Sequence, residues 1–173
     1  MLILGIDPGT AITGYGLVRE DKDRLVLVDY GAVTTPSSQP LATRLQTIYQ
    51  GLSEVIRQHQ PTAAAVEELF FSRNVRTALS VGHARGVALL ALADAGLPIY
   101  EYKPLEVKQA IAGYGGADKH QVQEMVRMLL NLEHAPHPDD AADAVAVAVC
   151  HIHSARMVAL LDQAGSASGE GSD

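Results

Sequence analysis

The chain has 173 residues, 47% of them hydrophobic and 19% charged, with a formal net charge of −7. This length suits one domain with a sizeable core, and the charge excludes a generally basic nucleic-acid-binding protein. A single cysteine, Cys150, excludes an internal disulfide and favours a reducing, cytoplasmic location. The first residues enter a strand without a basic region or cleavage motif, so we expect no secretory signal. We also expect no apolar run long enough to span a membrane.

The charge is unevenly distributed along the chain. Residues 72–127 carry seven Lys or Arg and five Asp or Glu, whereas the rest of the chain is strongly acidic. This middle span is compatible with one positive face that binds a polyanion, and equally with a merely solvated surface.

The N-terminal third of the chain predicts three strands. The first, residues 2–6, is apolar and ends abruptly at Asp7 before a Pro-Gly turn. Two further strands, residues 13–19 and 25–34, are separated by a short polar turn, which favours an antiparallel meander. A helix is predicted over residues 41–58 from its apolar spacing.

The rest of the chain alternates between strands and helices. A buried strand at residues 63–66 ends in two glutamates and is followed by a loop, a helix that ends near residue 95, and a strand at residues 97–101. Three helices follow, at residues 104–112, 118–132 and 139–161. We therefore predict an α/β fold: a mixed five-stranded sheet, a three-strand meander plus parallel strands, with helices on both faces. Residues 1–161 would form one domain and residues 162–173 a disordered tail.

Two glycines interrupt the second predicted helix. Gly82 and Gly86 each lower helix stability, so we expect them to allow close backbone packing against a neighbour. That neighbour is either the chain's own sheet or another subunit.

Carboxylates end two of the strands and open the last helix. Asp7 and Glu67 each follow a strand that we place in the parallel part of the sheet, where α/β folds build their sites. Asp139, Asp140 and Asp143 are spaced so that Asp143 shares a helical face with either of the others. Asp7 can instead cap its turn, and the helix acids can simply complement the helix dipole. If the carboxylates converge, their repulsion requires cations, and oxygen ligands favour Mg²⁺ or Mn²⁺.

Six short motifs occur in one order along the chain: GIDPGT (5–10), TGYG (13–16), AVEELF (65–70), GHARG (82–86), VKQ (107–109) and DAADA (140–144). Together they resemble the RuvC family of bacterial Holliday-junction resolvases, which belong to the RNase H-like nuclease superfamily. The resemblance extends from about residue 2 to about residue 157. It implies an RNase H-like fold and a structure-selective endonuclease of recombination and repair, which resolves four-way DNA junctions by symmetric paired nicks.

The resemblance also implies roles for particular residues. The catalytic and metal-binding carboxylates would be Asp7, Glu67, Asp140 and Asp143, which would hold two Mg²⁺ or Mn²⁺ ions for phosphodiester hydrolysis. Lys119 would add a catalytic cation near the scissile phosphate. The chain would form a homodimer and would act together with a branch-migration motor.

The expected DNA contacts combine aromatic, amide and basic side chains, which can stack on unpaired bases and bind phosphates. They are Phe70, Phe71, Arg73, Asn74, Arg76, Lys108 and Lys119. We expect Phe70 to be exposed and Phe71 to be the anchor, although either ring could close the core instead. Lys119 could instead begin a helix on a solvated surface.

Three other functions use parts of the same pattern. They are an RNase H-like nuclease for a different substrate, an actin-like ATPase or sugar kinase, and a junction-binding protein without activity. The ATPase class needs two such domains, and an idle carboxylate cluster would only destabilise a binding protein. His151 and His153, two residues apart on a helix, are not expected to form a ligand pair.

Overall fold

Five strands form one mixed sheet in the computed structural model, which describes residues 1–22, 24–68 and 75–167. The strand order is β3-β2-β1-β4-β5. The strands are β1 (Leu2–Asp7), β2 (Ile12–Asp21), β3 (Arg24–Thr34), β4 (Ala63–Glu67) and β5 (Ile99–Tyr102). β1, β2 and β3 pair antiparallel, whereas β4 is parallel to both β1 and β5. The predicted meander with parallel strands is confirmed.

Helices cover both faces of this sheet. They are α1 (Leu41–His59), α2 (Val75–Asp94), α3 (Pro104–Ala112), α4 (Lys119–Leu129) and α5 (Asp139–Ala167). α5 is six residues longer than predicted, so residues 162–167, which we assigned to the tail, are helical. Residues 168–173 lie outside the described residues, and there the tail stays a prediction.

Strand alternation divides the core in two. Successive side chains of a strand point to opposite faces, so Leu4 and Ile6 pack with α1 and α2, whereas Ile3 packs with α3, α4 and α5. β4 divides in the same way, with Ala64 and Val66 on the first face and Ala65 on the second. Asp7 is four residues after Ile3 and Glu67 is two residues after Ala65, so both acids belong to the face covered by α5.

α5 lies against β1 and β2 at unusually close range. A Cβ at Gly5, Gly14 or Gly16 would collide with the α5 backbone near Ala144, Asp140 or Val145, respectively. The helix presents small buried residues to the sheet there, including Ala141 and Ala144. Small side chains on both elements thus bring the first turns of α5 against the strand that ends in Asp7.

The glycines of α2 do not pack on the sheet. Within the described residues, no atom lies within 4 Å of a Cβ built at Gly82 or Gly86, and both positions are exposed. The buried face of the helix is formed instead by Ala84, Ala88 and neighbouring residues. Of the two predicted neighbours, the chain's own sheet is therefore excluded.

α5 also corrects an expectation about membrane spans. Residues 139–162 are long and apolar enough to cross a bilayer by length and composition, so the sequence does contain such a run. Half of that window is buried within the protein, as in the core helix of a globular fold. Cys150 lies in this buried part, and burial raises the pKa of its thiol to about 11.

Candidate active site

Asp7 and Glu67 lie side by side at one edge of the sheet. β1 and β4 run parallel with Ile6 opposite Val66, so the next residue of each strand is one of these two acids. Both side chains are half-buried and belong to the face covered by α5. The sheet itself therefore brings together two carboxylates that are 60 residues apart in sequence.

The start of α5 adds further carboxylates. Gly14 is the antiparallel partner of Asp7, and the Asp140 carbonyl lies against the bare Cα of Gly14. Asp140 therefore sits one strand away from Asp7, and Asp143 lies almost one helical turn further on. Both acids contribute negative charge that acts on Asp7. The four carboxylates, from three elements, are therefore close enough for their charges to interact.

Lys119 points into this cluster from α4. Its Nζ lies 2.9 Å from Asp143 Oδ2 and 3.3 Å from Asp139 Oδ2. Asp118 does cap the helix, accepting a hydrogen bond of 2.9 Å from the Gln121 backbone N–H. The helix start that we considered as an alternative thus exists, and Lys119 is half exposed there, while its ammonium group also pairs with Asp143 and Asp139.

Asp139 has a role that the sequence did not reveal. Its carboxylate accepts a hydrogen bond of 3.1 Å from Gln123 Nε2, in addition to its ion pair with Lys119. These two donors, Gln123 first, hold the pKa of Asp139 below its ordinary value. Asp139 therefore pairs, at an exposed position, with the ammonium group that also contacts Asp143, and only the packing of α4 against α5 creates this contact.

Asp7 and Glu67 resist ionisation. Burial, followed by the charges of Glu67, Asp143 and Asp140, raises the pKa of Asp7 to about 8. Burial, followed by the charge of Asp143, raises the pKa of Glu67 to about 7. A pKa shift of one unit corresponds to about 1.4 kcal/mol. Ionising Asp7 or Glu67 in the folded protein therefore costs considerably more free energy than ionising a carboxyl group in water. Strongly perturbed groups of this kind are concentrated at functional sites.

Lys119 offsets part of this repulsion. Burial raises the pKa of Asp143, and the hydrogen bond and charge of Lys119 oppose that rise. Burial would lower the pKa of Lys119 itself, but the bonds and charges of Asp143 and Asp139 outweigh this effect and raise it. Lys119 therefore stays an ammonium ion.

A cleft beside the acids brings in the second expected lysine. It has a volume of about 180 Å³ and is lined on its polar side by Glu67, Asp143, Lys108 and Lys119. Both lysines also lower the pKa of Glu67 through their charges. Lys108 and Lys119 therefore flank one opening that leads to the carboxylates.

The donor set fits a hard divalent cation, since it consists of carboxylate oxygens that repel one another. Within the described ranges, no three carboxylate, imidazole or thiolate groups are close enough together to form a ready metal site. Asp143 is hydrogen-bonded to Lys119 instead. A cation bound here would therefore compete with Lys119 for the Asp143 carboxylate.

The expected DNA-binding loop lies largely outside the described residues. Phe70, Phe71, Arg73 and Asn74 belong to the range 69–74, and Arg76 lies in the first turn of α2. Their contacts with DNA, and the assignment of the exposed and the anchoring ring, stay predictions. The loop nevertheless directly links α2 to the strand that ends in Glu67.

The two histidines of α5 do not form a ligand pair. His151 is buried, with Nδ1 2.8 Å from the Tyr102 hydroxyl and its ring against Tyr100. His153 lies 3.1 Å from the Ala110 carbonyl through its own Nδ1. They pack on different neighbours, as their spacing predicted.

Comparison with known proteins identifies relatives over nearly the whole chain. The family model described as crossover junction endodeoxyribonuclease RuvC matches residues 3–151. A protein of that name from Chloroflexus aggregans is 63% identical over 155 residues, which is 90% of this chain and 94% of the relative. Another, from Desulfitobacterium hafniense, is 58% identical over 167 residues, covering 96% and 99% of the two chains.

A solved structure agrees with this assignment. T. thermophilus RuvC, determined in complex with a Holliday junction substrate, is 42% identical to this chain. It superimposes with a TM-score of 0.86 and covers 91% of this chain and 96% of its own.

Proposed function

Because this chain belongs to the RuvC family of crossover junction endodeoxyribonucleases, we propose that it resolves four-way DNA junctions by metal-dependent phosphodiester hydrolysis. The single observation that carries the proposal is the convergence of Asp7, Glu67, Asp140 and Asp143 at one edge of the sheet. Family membership at this level of identity favours the nuclease over the ATPase or kinase alternative. The perturbed pKa values of Asp7 and Glu67 argue against an inactive binding protein.

The four carboxylates would hold divalent cations, on which members of the family depend. We propose two ions per site, with Mg²⁺ or Mn²⁺ as the species that suit oxygen ligands. Such ions activate water and stabilise the attacking and leaving oxygens of an in-line displacement. The protein contributes a rigid sheet edge, the close approach of α5, and an interior that disfavours uncompensated negative charge.

Lys119 and Lys108 would bind the phosphate backbone. Both line the cleft that opens onto Glu67 and Asp143, and an ammonium group pairs with phosphate as a point charge. The Asp139 carboxylate keeps Lys119 at this opening while Asp143 serves the cation. Phosphate contacts of this kind give affinity and register, but no sequence preference.

The segment ahead of α2 would engage the junction centre. Its two phenylalanines can stack on unpaired bases, and Arg73, Asn74 and Arg76 can bind the neighbouring phosphates. This part of the proposal rests on residue type and on the family resemblance.

A homodimer would present one site to each of two equivalent strands. α2 has an exposed stripe of Leu79, Gly82, Gly86 and Leu90, which follow one another at helical spacing. Leu79 is 60% and Leu90 53% exposed, and no described atom covers the glycines between them. An apolar stripe with bare backbone at its centre suits a second copy of the same helix across a two-fold axis.

Two further parts of the proposal rest on the family resemblance. A branch-migration motor would act with the resolvase, although no surface of this chain is assigned to it. The cytoplasm is the natural location for an enzyme that acts on chromosomal DNA and keeps Cys150 as a buried thiol.

The experiment that tests the function compares a mobile four-way junction with linear duplex of the same sequence. Cleavage is measured with Mg²⁺, with Mn²⁺ and with chelator. We expect paired nicks in the junction alone, and only with metal. Asp7→Asn should abolish cleavage and retain junction binding in chelator, whereas Asp21→Asn, at an exposed strand end, should leave both unchanged. Equal cleavage of duplex and junction, or cleavage in chelator, would contradict the proposal.

A further inference from the structure

The loop that follows Asp7 is tied to helix α2 by a pair of hydroxyl groups. Thr10 is 5% exposed, and its Oγ1 donates a hydrogen bond of 2.5 Å to the Ser80 carbonyl. The two side-chain oxygens are also 2.7 Å apart. Since the Thr10 proton is used on the carbonyl, the Ser80 hydroxyl donates the second bond. Thr10 is therefore both donor and acceptor toward one residue of α2.

The same loop is held from the opposite side. The Thr10 carbonyl accepts a hydrogen bond of 2.5 Å from Thr35 Oγ1, and Arg44 Nε of α1 donates one of 2.9 Å to that hydroxyl. Within the loop, Thr13 Oγ1 donates to the Gly9 carbonyl at 2.7 Å. The backbone after Asp7 is thus braced from within, from the end of β3 and from α1, which makes it a rigid support for α2.

The large apolar side chains at the start of α2 are exposed. Val75 is 71% exposed and Leu79 60% exposed, and the first fully buried apolar residue of the helix is Ala84. Ser80 lies between these exposed turns and the buried part of the helix. Buried hydrogen bonds add directional restraint that apolar contacts lack, so they define where this part of α2 lies.

We propose that Thr10 and Ser80 are positioning residues that hold the start of α2 at a set distance from Asp7. The proposal rests on the proposed function and deepens it. A bound phosphate must lie within about half an ångström of its productive position for full activity. A DNA contact made from the start of α2, where Arg76 lies, sets the position of the strand over Asp7 only if α2 itself cannot shift relative to the loop.

The test uses variants that separate the loss of the hydrogen bonds from a change in side-chain volume. Thr10→Val keeps the volume and loses both hydrogen bonds, Thr10→Ser keeps the hydroxyl, and Ser80→Ala removes one bond only. Thr62→Val is the matched control, because Thr62 Oγ1 donates to the Leu2 carbonyl at 2.9 Å and accepts from its N–H at 3.1 Å. Those bonds lie at the opposite end of β1, away from the acids.

Three measurements are made on the full chain: single-turnover cleavage of an intact junction, the Kd for that junction in chelator, and the distribution of cut positions. For Thr10→Val we expect cleavage at least tenfold slower, a Kd within twofold of wild type, and cuts spread over neighbouring phosphates. Thr10→Ser should restore the rate to within threefold, and Thr62→Val should change only the melting temperature. Wild-type rate and cut position in Thr10→Val would overturn the proposal, as would failure of Thr10→Ser to rescue.

Amide hydrogen exchange separates this proposal from the proposed function. Thr10→Val, or Ser80→Ala if the first variant does not fold, should speed exchange in residues 75–80 at least fivefold, and Thr62→Val should not. Unchanged exchange there would overturn the positioning role even if cleavage fell. A wild-type protein that cuts no junction would refute the proposed function, while faster exchange in the variants would still establish the link.

Discussion

Asp7→Asn should stabilise the metal-free protein at alkaline pH. The pKa of the Asp7 carboxyl is about 8 in the folded chain against an ordinary value of 3.8, chiefly because of burial and then because of the neighbouring acids. The folded state therefore binds more protons than the unfolded state between those two pH values. Stability is fully retained below about pH 4 and falls as the pH rises toward 8. Asparagine keeps the shape of the side chain and removes the charge.

The magnitude follows from the shift. About four units at about 1.4 kcal/mol each set an upper limit of roughly 6 kcal/mol at pH 8 and above. Water at the edge of the sheet and movement of Lys119 reduce this value, so we expect a gain of about 2–3 kcal/mol. For a chain of this length, that gain corresponds to about 5–10 °C in melting temperature.

The assay is thermal unfolding in chelator at pH 5, 6.5 and 8, with Asp21→Asn as the surface control. The gain from Asp7→Asn should be largest at pH 8 and shrink steadily toward pH 5. Adding Mg²⁺ at pH 8 should stabilise the wild type and narrow the difference, because the metal compensates the charge that asparagine lacks. A variant that is less stable than wild type at pH 8 in chelator would refute the reasoning and make Asp7 a structural cap of its turn.

The remaining predictions concern the dimer, the cleft and the loop. Gly82→Ala and Gly86→Ala should each stabilise the isolated monomer by about 0.5–1 kcal/mol through helix propensity and yet weaken the dimer, measured by sedimentation; a tighter dimer would exclude α2 as the interface. Lys119→Met should slow cleavage and move its pH profile to higher pH, because the ammonium group lowers the pKa values of Asp7, Glu67 and Asp143; an unmoved profile would assign Lys119 to phosphate binding alone. Phe70→Ala should slow cleavage of intact junctions more than of pre-nicked ones, since stacking contributes about 1–3 kcal/mol per base; equal losses would indicate a packing role. A heterodimer of wild-type and Asp7→Asn subunits should nick a supercoiled cruciform without linearising it, and efficient linearisation in one binding event would contradict the two-site dimer.

The sequence predicted the fold from local signals. Short apolar runs, the polar turn before β3 and helical spacing in α1 are properties of neighbouring residues, and each element appears close to where it was expected. Helix ends were less certain: α5 extends beyond Leu161, through Gly165, to Ala167. The order of the short motifs identified the family, because motifs are recognised from residue types along the chain and do not require knowledge of tertiary contacts.

Other features depend on which elements meet. Gly82 and Gly86 predicted a closely packed neighbour, but a sequence does not show whether that neighbour belongs to the same chain. No described part of this chain lies next to either glycine. Asp139 looked like an acid of the first helical turn until α4 brought Lys119 and Gln123 to it. The Thr10–Ser80 bonds join residues 70 positions apart, and nothing local to either residue indicates the other.

By itself, then, the sequence determined the strands, the helices and the family of the chain, and it predicted which four carboxylates form the site. The tertiary structure alone decided that Gly14 would admit the α5 backbone beside Asp7, that Lys119 would pair with two of the acids, and that burial would raise the pKa of Asp7 to about 8. The physical reason is range. Strand and helix signals act over a few residues, whereas desolvation, charge repulsion and close backbone approach depend on groups that only the folded chain brings within a few ångströms.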